Sequence, residues 1–99
     1  MKLNVGDVLE IEGKIATVCY TTVHNNTDYI CVAFEEEEVN FDFFKYKYED
    51  RKLLVAKVRD EVELFPVLKT FVNEGLSQYG LPEELDRLYS KLAEQMDNK

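Results

Sequence analysis

Glycine, histidine and cysteine are all scarce in this chain, and each shortage removes a class of chemistry. Four glycines in 99 residues leave little room for a phosphate-cradling loop, and no Gly-rich or nucleophile motif is present. The single histidine, His24, stands beside Asn25 and Asn26. That pair supplies neither an ionisable orienter nor a nucleophile, so His24 reads as structural. Cys19 and Cys31 are the only cysteines. Structural zinc takes four ligands, and this spacing is not C-x-x-C, so both read as small apolar fillers. No catalytic residue, metal site or cofactor is expected.

Long apolar runs are missing as well. None approaches the roughly 20 residues that span a bilayer, so no membrane partner is expected. The opening MKLNVGDVLEIEGK lacks the apolar region of a signal peptide, which points to the cytoplasm and to reduced thiols. Positive charge is thin: 12 basic side chains face 20 acidic ones, for a net charge of −8. Such a balance repels phosphate backbones and anionic surfaces, so nucleic acid is not expected as a partner. The densest basic feature is the Arg51-Lys52 pair.

What is plentiful is core material. Apolar residues make up 45%, with six Phe and six Tyr, enough for one modest core in a single domain spanning 1–99. Residues 1–58 read as strands. Val8 to Ile11 is bracketed by Gly6-Asp7 and Glu12-Gly13 as turn signals. Ile15 to Val23 is rich in β-branched residues. His24 to Asp28 reads as a hairpin turn, because Asn tolerates the left-handed backbone that such turns require. Tyr29 to Phe34 is apolar on both faces, Phe41 to Tyr48 alternates less cleanly, and Leu53 to Val58 is the fifth strand. The short connections favour an antiparallel meander. The even positions Val18, Tyr20, Ile30, Val32, Phe34, Phe44, Tyr46, Leu54, Ala56 and Val58 are expected to line one face. The hairpin register stays open: a three-residue loop pairs Cys19 with Cys31, while a two-residue Asn25-Asn26 turn separates them.

The period then changes. Leu64, Leu68, Phe71, Val72 and Leu76 sit at helical spacing, predicting a helix within 61–80 that starts close to Pro66. Gly80 and Pro82 mark a boundary, and a second helix is expected over 82–97. The fold class is therefore α+β: about five antiparallel strands, either an open meander or a curled SH3-like half-barrel, followed by two C-terminal helices. The core is expected to include Val18, Tyr20, Ile30, Val32, Phe44, Leu54, Leu68 and Phe71.

Three surface features remain. Glu35 to Glu38 lacks the alternate spacing of a calcium loop and reads as a solvated connection. Phe41 to Tyr48 interleaves aromatics with Lys45 and Lys47. Single strands of nucleic acid stack on such patterns, yet acidic flanks favour a strand with aromatics inward and lysines outward. On the last helix Leu85, Leu88, Tyr89, Leu92 and Met96 form an apolar face, the candidate partner-binding or self-association surface.

Tyr29 to Phe34 with the Glu run and Val39 to Tyr48, and Val62 to Val67 leading into a helix, resemble the YrzB-like family of small acidic proteins of Gram-positive bacteria. The resemblance covers about residues 15–74. It implies a cytosolic bacterial protein and carries no functional residue, since that family has no assigned activity. The second helix departs from the family pattern, which ends in an acidic tail. The leading functional reading is a non-catalytic protein-interaction or regulatory module. The alternatives are a nucleic-acid-associated SH3-like domain and, behind it, a small enzyme with an unrecognised site.

Overall fold

The computed structural model describes residues 2–35, 40–79 and 83–97. Five strands come first: β1 (Val8–Ile11), β2 (Lys14–His24), β3 (Thr27–Phe34), β4 (Asn40–Glu49) and β5 (Lys52–Lys57). Two helices follow, α1 (Glu61–Tyr79) and α2 (Glu83–Asp97). The strands lie in the order β1-β2-β3-β4-β5, all neighbours antiparallel. The sheet curls into a half-barrel, so the fold is α+β. The chain forms two compact units, Met1–Val58 and Arg59–Lys99.

Three tight turns set the register of the sheet. Glu12-Gly13, Asn25-Asn26 and Asp50-Arg51 all have positive φ, at 52° and 79°, 51° and 63°, and 52° and 65°. Two successive left-handed residues make the type I′ turn, whose twist matches that of the flanking strands. Closing pairs are Ile11↔Lys14, His24↔Thr27 and Glu49↔Lys52. Each therefore sets an odd residue against an even one, or the reverse, and parity inverts across the turn.

That inversion corrects the even-position core. Phe44, Tyr46 and Tyr48 pair with Lys57, Val55 and Leu53, so β5 turns Leu53 and Val55 towards the core face. Leu54 and Ala56 point the other way and are exposed, Leu54 by 43%, and Val58 lies opposite Phe43 on that same face, although buried. Tyr20 is the second correction. Val18 pairs with Val32 but Tyr20 pairs with Cys31, because a bulge at Cys19 inserts one residue. The bulge moves Tyr20 to the opposite face. Val18, Ile30, Val32, Phe44, Leu68 and Phe71 are buried as expected.

Inside the half-barrel Leu3, Ile11, Ala16, Val18, Ile30, Val32, Phe44 and Tyr46 form one cluster. Phe34 meets Phe44 edge-on with centroids 6.2 Å apart, and Tyr46 meets Tyr48 likewise at 6.3 Å. The N-terminal segment is tied to this cluster. The Leu3 N–H donates to the buried Tyr46 hydroxyl at 3.0 Å, and Gly6 N–H donates to the Val18 carbonyl at 2.8 Å.

The helical unit starts earlier than Pro66. Asp60 caps α1: its carboxylate accepts from Val62 N–H at 2.9 Å and its carbonyl from Leu64 N–H at 2.8 Å. Pro66 then lies in the second turn, where it supplies no N–H to the helix ladder. The cap outweighs that loss, because the first turn satisfies donors that would otherwise be orphaned. Gly75 is contained in α1. Val67, Leu68, Phe71 and Val72 are buried, as are Leu85 and Leu92 of α2. Phe65 stacks on Tyr89 with centroids 5.9 Å apart. Gly80 and Pro82, read as the helix boundary, lie outside the described residues.

Candidate interaction site

Alternation along β3, β4 and β5 places Thr27, Lys45, Lys47, Lys52, Leu54 and Ala56 on the face opposite the core cluster. At the end of the sheet nearest the β2–β3 turn this face opens into a cleft of about 370 Å³. Asn26, Thr27 and Asp28 border it on one side, Lys45 and Lys47 in the middle, and Leu54 and Ala56 on the other; the Asp28 carboxylate is paired with Lys2 at 3.3 Å. Ala56 is the smallest side chain in its lining. Lys47 Nζ lies 3.1 Å from the Glu49 carboxylate, with both side chains well exposed. Such a pair is weak in water, so the lysine can exchange it for another anion at little cost.

The tyrosines that alternate with these lysines face the other way. Tyr46 is buried and Tyr48 packs against the core cluster. The aromatic-lysine strand thus separates its two components: rings inward, ammonium groups outward. Phe43 shares the lysine face but is itself buried.

Cys19 and Cys31 are neighbours even though the turn has two residues. The turn shifts the register by one, and the bulge shifts it back. The Cys19 thiol donates to the Cys31 carbonyl at 3.1 Å. Both cysteines are free thiols. Hydrogen bonding from the Cys31 thiol holds the Cys19 pKa below its ordinary value, against the opposing effect of burial. The same bond, with burial and the charges of Cys19 and Asp42, pushes Cys31 well up. The two thiols, alike as apolar fillers in the sequence, thus differ: Cys19 is the readier to ionise and Cys31 the less ready.

The other sequence candidates are dispersed. His24 closes β2 opposite Thr27. Among the described residues, no three His, Cys, Asp or Glu side chains gather as a metal site. Glu35 is exposed, and Glu36 to Glu38 lie outside the described residues. On α2, Leu85 and Leu92 are 2% and 1% exposed. Leu88 and Tyr89 are half-buried, and the side chain of Met96 lies outside the described residues. Among the described residues, no helix is long and apolar enough to cross a membrane. Comparison with known protein families, curated proteins and solved structures finds no match to this chain.

The lysine cleft is the feature that the sequence pattern half revealed. Alternation in 41–48 separates lysines from tyrosines. Only the two-residue turn at Asp50-Arg51 decides that Leu54 and Ala56, rather than Leu53 and Val55, line up beside them.

Proposed function

We propose that this protein is a non-catalytic protein-interaction module that works in the cytoplasm and binds its partner on the β3–β4–β5 face of the sheet. The observation that carries the reading is the cleft, which joins exposed apolar surface at Leu54 to the exposed Lys47 ammonium. Apolar contact with a charged rim is the usual anatomy of a protein interface. A nucleic-acid role is less well supported, because base stacking needs open aromatic faces and Tyr46 and Tyr48 turn theirs into the core. The apolar face of α2 contributes less, since burial of Leu85 and Leu92 leaves only Leu88 and Tyr89 part-exposed.

Site-specific photocrosslinking in native lysate tests this. A crosslinking residue replaces Leu54 in one variant and Val8, on the far edge of the sheet, in another. The reading expects a discrete protein adduct from position 54 that position 8 does not give. Equal, diffuse labelling from both positions would overturn it.

A further inference from the structure

We infer that β5 accepts an extended acidic peptide as a sixth strand, its carboxylates meeting the lysines of the cleft. This names the partner chemistry of the interaction face and rests on that reading.

Backbone geometry comes first. β5 is the last strand of the sheet, with β4 on one side only. Val58 N–H donates to the Phe43 carbonyl at 3.0 Å, which directs that amide towards β4. Antiparallel strands alternate inward and outward amides. Ala56 and Leu54 therefore bond to β4, while Leu53, Val55 and Lys57 direct N–H and C=O away from it. β5 is also the strand with the most exposed side chains: Lys52, Leu54, Ala56 and Lys57 are all exposed. A run of outward donors and acceptors on an exposed edge is the template that strand addition uses.

Charge selects the occupant. Residues 40–58 hold five basic side chains (Lys45, Lys47, Arg51, Lys52 and Lys57) against three acidic ones (Asp42, Glu49 and Asp50). The other 80 residues hold seven basic and 17 acidic. The β4–β5 hairpin thus carries a net positive charge in an anionic chain. A strand added at β5 lies about 4.8 Å beyond it. Its side chains on the cleft face sit beside Leu54 and Ala56, whose partners on β4 are Lys47 and Lys45. A second copy of this chain is a poor occupant, because two β5 edges would bring Arg51, Lys52 and Lys57 of each copy together. The lysines thereby guard the edge against its own kind and leave it open to an acidic strand.

The test is a titration of the ¹⁵N-labelled full chain with a capped peptide that alternates glutamate with valine and threonine. Its lysine counterpart and a single-stranded oligonucleotide of similar length serve as competing probes. The acidic peptide should protect the amides of Leu53, Val55 and Lys57 from exchange. Its affinity should fall with salt and drop on the order of tenfold in the K45E/K47E double variant. Val55→Pro removes one outward donor without touching a β4 bond and should also weaken binding; it decides the matter if the charge reversal misfolds. Peptide shifts confined to another face, or affinity indifferent to both variants, would overturn the inference. So would oligonucleotide binding through the same lysines with no response to the peptide. An adduct at position 54 with no peptide on β5 would remove this inference alone and leave the interaction module standing.

Discussion

At the scale of single residues, the two cysteines show how position alone differentiates identical groups. Cys19 sits in a bulge and is half-buried, whereas Cys31 sits in the central strand and is fully buried. The Cys31 thiol stabilises a thiolate on Cys19 and loses its own readiness to ionise. Since the thiolate is the nucleophile, alkylation should modify Cys19 first, and its rate should rise at a lower pH than for an ordinary thiol. Cys31→Ala removes the donor, so the rate profile of Cys19 should move to higher pH. Mass spectrometry of quenched labelling reactions checks both; equal labelling of the two thiols would contradict the geometry. Arg51 makes a separate point. Its φ of 65° is a conformation that costs an L-residue roughly 1–2 kcal/mol. Arg51→Gly relieves that strain, offset in part by the entropy of the unfolded chain. It should stabilise the sheet by about 0.5 kcal/mol in urea, while Arg51→Val should destabilise it.

At the scale of elements, what could be read from the sequence was what local pattern encodes. β-branched enrichment marked β2, the unbroken apolar run marked β3, and the 3.6-residue period marked both helices. Face assignment failed wherever a single residue set parity. The even rule held in β3 and β4, which a five-residue connection links in phase. It failed in β5 after Asp50-Arg51, and at Tyr20 after the Cys19 bulge. No composition signal announces a bulge, since it is fixed by how β2 pairs with β3 rather than by the residue types at Cys19. The start of α1 had a signal that the reading from Pro66 missed. Asp60 followed by Glu63 has the spacing of a capping box, yet Pro66 drew the boundary inward. The capping role predicts that Asp60→Ala destabilises the helical unit by about 1 kcal/mol. Circular dichroism at 222 nm through a thermal ramp measures it; an unchanged transition would mean that Glu63 alone secures the first turn.

At the scale of the whole molecule, charge and burial act on the same question, namely whether the chain associates with itself. A net charge of −8 opposes the approach of two copies, and salt relieves that repulsion only in part. Apolar surface must then outweigh it, and the apolar face of α2 was the natural source. Leu85 and Leu92 are instead buried by the chain's own residues, and Tyr89 stacks on Phe65. Truncating Leu92 should therefore act on folding rather than on association. A side chain 1% exposed leaves a cavity when shortened, so Leu92→Ala should cost roughly 2–5 kcal/mol. The parent should sediment as a monomer over a wide concentration range, at low salt and high. In Leu92→Ala the unfolding midpoint should fall while the sedimentation coefficient of the folded fraction stays unchanged. A parent that dimerises, and a Leu92→Ala variant that becomes monomeric with its midpoint intact, would return α2 to the role of an association helix.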